Sequence, residues 1–228
     1  MALVEAEALH KTYRTGKVEV HALDGVDLSL EAGEFAVLAG RSGSGKTTLL
    51  NMLGALDMPD SGVVRIGGEN YLKLGKDQRA RFRLRHVGFV FQAYNLIRVL
   101  SARENVAYVL ELQGMAAAER GARADALLEA VGLSGLGGRR PDQLSGGQQQ
   151  RVAVARALAT EPDLVLADEP TANLDSATGE QLIDLMAALC HGHGTTFVLA
   201  SHDPMVIARA RPLIRMDDGR VVDDGSVE

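Results

Sequence analysis

The chain has 228 residues, of which 46% are hydrophobic and 24% are charged, as is ordinary for a globular protein with a real core. A formal net charge of -6 at pH 7 argues against a protein that coats nucleic acid, so we expect no nucleic acid partner. The single cysteine, Cys190, excludes an intrachain disulfide. No apolar run approaches the length of a membrane span and the first residues lack the layout of a signal peptide, so we expect a soluble chain.

Short strands separated by turns are predicted before residue 93. The pattern predicts a strand from Leu3 to His10, a half-buried strand through Val26 to Leu30 and a buried strand from Phe35 to Ala39. We expect the early strands to form an antiparallel β layer. Tyr13 is expected in a turn, where it either stacks on an adenine or is an ordinary surface or core tyrosine. Further strands are predicted at 63–66, 87–91, 163–167 and 197–200, with a closing hairpin of 213–216 and 220–223.

A phosphate-binding loop is predicted between the third strand and a helix, because residues 40–47 fit the pattern G-x-x-x-x-G-K-[ST]. Glycines allow successive backbone N–H groups to point at a phosphate, and the helix adds its positive N-terminal end. Lys46 would reach the β- and γ-phosphates, and the Thr47 hydroxyl would bind Mg²⁺. The predicted nucleotide-binding residues here are Gly40, Arg41, Ser42, Gly43, Ser44, Gly45, Lys46, Thr47 and Thr48.

Two acidic residues follow a later buried strand. Asp168 can hold the Mg²⁺ shell, and Glu169, which the chain turns elsewhere, can orient or deprotonate an attacking water. The alternative is a pair of carboxylates that only caps the strand end. His202 follows another buried strand, and the carboxyl ends of parallel strands gather at one edge, so we expect it to hydrogen-bond the γ-phosphate.

A helical block interrupts the alternation of strands and helices. Ser101 to Glu104 forms a capping-box pattern before an apolar-periodic run, a second helix is predicted at about 116–131 and a third at about 147–159. We therefore predict an α/β fold: a P-loop NTPase core with an antiparallel β layer and an inserted α-helical subdomain. Within a single domain of residues 1–228, the core comprises 1–93 and 160–228, and the helical subdomain comprises 94–159.

The segment Leu144-Ser145-Gly146-Gly147-Gln148 is identical to the signature motif of the ATP-binding cassette (ABC) ATPases. With the phosphate loop ahead of it and the acidic strand behind it, the chain resembles the nucleotide-binding subunit of an ABC transporter. This resemblance implies that Tyr13 stacks on adenine, that Gln92 links the γ-phosphate and Mg²⁺ to a membrane partner, and that His202 is the switch histidine. It also assigns a D-loop, formed by Asn173, Leu174 and Asp175.

Residue roles follow from the motifs and the resemblance together. The expected catalytic residues are Lys46, Gln92, Glu169 and His202, and the expected Mg²⁺ ligands are Thr47, Gln92 and Asp168. The expected cofactors are ATP and Mg²⁺. The resemblance further implies that a second copy of the chain places its signature residues over the nucleotide, so that two ATP molecules are buried in a head-to-tail dimer. Two departures from the family pattern are Arg41, where proline is common, and Ser201, where threonine is common.

A closer resemblance concerns one branch of the family, which comprises the lipoprotein-releasing LolD, macrolide-exporting MacB and cell-division FtsE ATPases. It is carried by the segments at 88–92, 95–96, 104–106, 148–151 and 167–175. This resemblance implies a bacterial protein at the cytoplasmic face of the inner membrane, paired with a permease of few transmembrane helices and a large extracytoplasmic domain. We expect the permease to dock near Gln92, Tyr94, Leu96 and Leu100, although these apolar residues could equally be core. The alternatives are a soluble ABC ATPase and a nucleotide-gated scaffold.

Overall fold

Two β-sheets carry the fold of residues 2–16 and 18–224, the part of the chain that the computed structural model describes. The strands are β1 (Val4–Thr15), β2 (Val18–Leu30), β3 (Phe35–Ala39), β4 (Ser61–Ile66), β5 (Val87–Phe91), β6 (Leu164–Asp168), β7 (Thr196–Ser201), β8 (Leu213–Asp217) and β9 (Arg220–Asp223). The α-helices are α1 (Lys46–Leu53), α2 (Lys76–His86), α3 (Ala102–Leu112), α4 (Ala117–Ala130), α5 (Gly146–Leu158), α6 (Ser176–His193) and α7 (Pro204–Ile207). The predicted α/β fold with a P-loop core, a β layer and an inserted helical block is confirmed.

The larger sheet has the strand order β5-β6-β7-β3-β8-β9, and its first five strands are parallel. Strands β3 and β7 are buried along their whole length, as the continuous apolar runs predict. The strands also end in register: Phe91 pairs with Asp168, and Asp168 pairs with Ala200. The residues that follow these strands therefore meet at one edge of the sheet.

The smaller sheet is the predicted antiparallel layer, with the order β2-β1-β4. The prediction that Tyr13 lies in a turn is wrong, since β1 continues to Thr15 and Tyr13 pairs with Val20 of β2. Irregularities in the β1–β2 register fall between Ala6 and Leu9 and between Lys11 and Thr12. Such bulges break the alternation of apolar and polar residues, which is why the pattern underestimates the strand.

Helices α3, α4 and α5 occupy the block between β5 and β6. The predicted capping box is present, because Ser101 Oγ accepts from Glu104 N and Glu104 Oε2 accepts from Ser101 N. The helices share one apolar cluster with the larger sheet, to which Val106, Leu128 and Val152 contribute. No helix in residues 2–16 and 18–224 is both long and apolar enough to cross a membrane.

Gly88 allows α5 to lie directly on β5. A Cβ atom added at Gly88 would lie 2.3 Å from the carbonyl oxygen of Ala157 in α5. That oxygen belongs to a helix backbone, which cannot step aside as a flexible side chain can. The spacing between α5 and the larger sheet therefore depends on the absence of a side chain at residue 88.

We expect Gly88→Ala to lower the free energy of unfolding by about 1–3 kcal/mol, since the added methyl forces the helix away from the strand. The matched control is Gly121→Ala in α4, where an added Cβ would meet nothing within 4 Å. That change should stabilise the protein by up to about 1 kcal/mol, because alanine is the better helix former. Urea denaturation of both variants checks the pair, and equal effects would contradict the packing argument.

Candidate nucleotide site

A cavity of about 500 Å³ opens where the strands of the larger sheet end. It brings together eleven of the residues predicted from sequence: Tyr13, Ser42, Gly43, Gly45, Lys46, Thr47, Thr48, Gln92, Asp168, Glu169 and His202. It also includes Val20, Ala22 and Ala172, which sequence reasoning missed. The first two lie on β2, whose approach to the phosphate loop depends on tertiary packing rather than on any local motif.

The loop before α1 has the backbone that a phosphate cradle needs. Gly43 and Gly45 have φ angles of 85° and 100°, a region that side chains with a Cβ rarely adopt. Lys46 is only 7% exposed, and its ammonium group donates to the carbonyl oxygens of Gly40 at 2.7 Å and Arg41 at 2.9 Å. The predicted residues Gly40 and Arg41 thus act on this lysine through their backbone, and the charge of Lys46 is held inside the loop.

Thr47 and Asp168 form the pair of oxygen ligands that a magnesium ion would need. The Thr47 hydroxyl donates to Asp168 Oδ1 at 3.1 Å. Burial raises the pKa of Asp168, while the hydrogen bond from Thr47 opposes that shift. Mg²⁺ prefers a few oxygen ligands and shares the rest of its shell with water and substrate phosphates. Within residues 2–16 and 18–224 no cluster of three or more His, Cys, Asp or Glu side chains could hold a metal ion.

Glu169 is turned away from Asp168 by an unusual backbone. Its φ of 44° is rare for a residue with a side chain, and its N–H donates to the carbonyl oxygen of Ala200 at 2.9 Å. The carboxylate lies 2.8 Å from His202 Nδ1 and accepts from Ser201 Oγ at 3.3 Å. Because a carboxylate only accepts, Nδ1 is the donating nitrogen of His202. Glu169 therefore contacts His202 and Ser201 whereas Asp168 contacts Thr47, and the side chain of Glu169 is 18% exposed at the cavity.

Gln92 and the predicted D-loop meet at the edge of the same cavity. The Asn173 amide donates to the carbonyl oxygen of Gln92 at 2.8 Å. Asp175 caps α6, accepting from Thr178 N at 3.0 Å, while Leu174 packs against the apolar cluster of the helices. The three D-loop residues therefore have separate contacts, and Asn173 contacts the predicted site residue Gln92.

Tyr13 also lines the cavity. Its hydroxyl donates to Asp57 Oδ2 at 2.9 Å, and Lys11 Nζ lies 5.2 Å from the ring centroid. Burial and then the hydrogen bond to Asp57 raise the pKa of Tyr13. The pairing with Asp57 spans 44 positions, and nothing in the local sequence signals it. Tyr13 is 39% exposed, so its ring is accessible at the cavity while its hydroxyl is held by Asp57.

The signature residues lie outside the cavity, since none of Leu144 to Gln148 lines it. Ser145 caps α5: its Oγ accepts from Gln148 N at 3.3 Å, and Gln148 Oε1 accepts from Ser145 N at 3.0 Å. A Cβ at Gly147 would lie 2.4 Å from the methyl of Thr178, and Leu144 is buried. Within one subunit, the structure does not bring these residues to the phosphate loop.

Comparison of the sequence with known proteins identifies the family that the motifs predict. The sequence profile of the ABC transporter family matches residues 23–172. The lipoprotein-releasing system ATP-binding protein LolD of Chromohalobacter salexigens is 44% identical over 222 residues, which are 97% of this chain and 94% of that protein. The macrolide export ATP-binding/permease protein MacB of Syntrophobacter fumaroxidans is 48% identical over 221 residues, which are 96% of this chain but only 31% of that protein.

The fold has close structural relatives as well. A dimeric ATP-binding cassette solved in a post-hydrolysis state, bound to ADP and Pi, superposes with a TM-score of 0.90. It is 40% identical, and the match covers 99% of this chain and all of that one. The resemblance predicted from the motifs is confirmed. The chain therefore belongs to the ABC transporter family, in the branch that includes LolD and MacB.

Proposed function

We propose that the cavity binds Mg-ATP and hydrolyses it to ADP and phosphate, and that this reaction drives a membrane permease. The observation that carries the proposal is the meeting of three groups at one sheet edge: Lys46 in its loop, the Thr47–Asp168 pair, and Glu169 with His202. Each group supplies a different requirement of phosphoryl transfer, namely charge neutralisation, metal binding and water activation.

The roles follow from where the groups lie. Lys46 and the backbone N–H groups of residues 42–48 would bind the β- and γ-phosphates, and Tyr13 would stack on the adenine. Thr47, Asp168 and Gln92 would hold Mg²⁺, which when bound neutralises charge on the phosphate oxygens. Gln92 is exposed on the cavity wall, at the start of the segment that leads to the helical block.

Glu169 would act on the attacking water. Its carboxylate would accept a water hydrogen as the oxygen attacks the γ-phosphorus, while the bond to the bridging oxygen of ADP breaks. His202 is 70% exposed and its Nδ1 contacts Glu169, so it can hold the carboxylate and face the γ-phosphate with its other nitrogen. Products are ADP, phosphate and one proton.

A second copy of the chain would complete the site. Ser145, Gly146 and Gly147 start α5, where backbone N–H groups and the helix dipole favour an anion, but they do not line the cavity of their own subunit. A partner's signature residues would cover the nucleotide, in agreement with the dimeric state of the similar cassette. We propose that residues 94–159 move as a subdomain against the core of 1–93 and 160–228 when the dimer closes.

The permease would dock in a groove beside Gln92, which we call the docking groove; its lining includes Ala93, Tyr94, Leu96, Arg98 and Asp142. Tyr94 and Leu96 are half-buried, so part of each side chain is exposed to receive an apolar helix. Leu100, which the sequence also predicts at the docking site, does not line the docking groove. The names of the bacterial relatives support a permease of the lipoprotein-release or macrolide-export type. We propose that this permease has few transmembrane helices and a large extracytoplasmic domain. The cassette would then lie at the cytoplasmic face of the inner membrane.

The role of Glu169 is tested by Glu169→Gln. We expect the kcat for ATP hydrolysis to fall by about 10²–10⁴-fold, because the amide cannot accept the proton. The phosphate contacts remain, so Mg-ATP should now trap a dimer that light scattering after size exclusion detects. Glu129→Gln, an exposed acid on α4, is the control and should hydrolyse ATP at the wild-type rate. A variant that stays monomeric in saturating Mg-ATP would contradict the dimer.

If Asp168 binds Mg²⁺, its replacement by asparagine should raise the stability of the protein and abolish its activity. In Asp168→Asn the buried charge disappears while the Thr47 hydroxyl retains an acceptor, so the thermal midpoint of the nucleotide-free protein should rise by a few degrees. Mg²⁺-dependent hydrolysis should be lost. Asp218→Asn, in the exposed turn between β8 and β9, should change neither quantity. A destabilised Asp168→Asn would show that the carboxylate has a structural role instead.

The docking groove is tested with the trapped dimer. Tagged Glu169→Gln, purified from detergent-solubilised membranes with Mg-ATP, should retain a large-ectodomain permease in stoichiometric amount by mass spectrometry. When Ala93→Arg, at an exposed position of the groove, is added to this variant, the permease should no longer co-purify. Ala118→Arg at the start of α4, added in the same way, should leave the permease bound. Recovery of soluble partners alone, or of none, would favour the soluble ATPase or the nucleotide-gated scaffold.

A further inference from the structure

A buried glutamine on α5 lies between the two loops that carry the proposed catalytic residues. Gln150 is 0% exposed and stands in the second turn of the helix that the signature begins. Its Nε2 donates to the carbonyl oxygen of Pro170 at 2.8 Å and lies 3.4 Å from that of Phe91. Because both neighbours are carbonyl oxygens, the nitrogen is the end of the amide that must face them.

The two carbonyl groups belong to the segments that leave β5 and β6. Phe91 directly precedes Gln92, and Pro170 directly follows Glu169. A second carboxamide contacts the same backbone, since the Asn173 amide donates to the carbonyl oxygen of Gln92 at 2.8 Å. A single carboxamide on the signature helix therefore contacts the backbone next to the proposed metal ligand and next to the proposed water-activating carboxylate. The bond to Pro170 is the shorter and the stronger of the two.

Packing alone gives no reason for a glutamine here. Its Oε1 is buried and has no hydrogen-bond partner among the residues that the structure describes. An unpaired buried oxygen opposes folding, and an apolar side chain of the same length would avoid that cost. The feature that an apolar residue could not supply is the donor, directed at Pro170 and Phe91.

We propose that Gln150 is a positioning residue that ties the orientation of the signature helix to the placement of Glu169 and Gln92. When a partner's nucleotide engages Ser145 at the start of α5, any shift of that helix moves the carboxamide and the two carbonyl groups with it. The site on one nucleotide thereby responds to occupation of the other. This inference rests on the proposed hydrolysis at Glu169.

The test compares Gln150→Met with the wild-type chain. Methionine has a similar length and no donor, so the KM for Mg-ATP should stay the same while kcat falls by about ten- to a hundredfold, as misplacement of a catalytic group does. The unpaired Oε1 is removed, but the Pro170 carbonyl oxygen loses its donor, so these opposing effects should leave the thermal midpoint within a few degrees of the wild-type value. Gln113→Met is the matched control, because Gln113 is exposed and also donates to a backbone carbonyl, that of Leu84 at 3.3 Å.

Each outcome has a separate meaning. Wild-type kcat in a folded Gln150→Met would overturn the inference while leaving the proposed function intact, and an inactive wild-type chain would overturn both. If methionine prevents folding, Gln150→Asn decides, because it keeps the carboxamide but is too short to hold both carbonyl groups. A folded Gln150→Asn should show the same loss of kcat with unchanged KM, and retained kcat would reject the positioning role.

Discussion

The in-register pairing of parallel strands is the constraint on which the site depends. Phe91, Asp168 and Ala200 are successive partners across β5, β6 and β7, so the residues that follow them leave the sheet at the same level. Hydrogen bonds of the sheet thus fix the relative positions of Gln92, Glu169 and Ser201, and His202 follows one residue later. Strands β6 and β7 are buried on both faces, so a slip of one residue would exchange the side chains of the two faces and disrupt the packing on each side.

Much of this arrangement could be predicted from sequence because its signals are local. The phosphate loop, the apolar strands and the capping box at Ser101 each depend on residues close together in the chain, and the structure contains all three. The expectation that strand ends gather the acids with His202 depends only on a general property of parallel sheets. The order of the motifs was then enough to indicate the family.

What sequence reasoning missed depends on contacts between distant segments. Bulges in β1 interrupt the alternation of apolar and polar residues, so the sequence pattern does not extend the strand to Tyr13. Asp57, which accepts the hydrogen bond from the Tyr13 hydroxyl, lies 44 positions away in the chain. Gln150 is one of three consecutive glutamines, and only the fold shows that it is the buried member of the run. The edge of the docking groove likewise depends on how Pro141 to Gln149 approaches the segment after Gln92.

The hydrogen bonds of Lys46 and Ser145 determine which donors each residue could offer to the phosphates it is proposed to bind. Lys46 directs two of its three ammonium protons at the carbonyl oxygens of Gly40 and Arg41, which leaves one proton for a further acceptor. Ser145 uses only an acceptor lone pair for its cap, so its hydroxyl proton is available without breaking the capping box. Each residue therefore has a donor available without the loss of a structural hydrogen bond. Under the proposed function, the binding free energy of the phosphates would not have to offset the loss of these hydrogen bonds in either subunit.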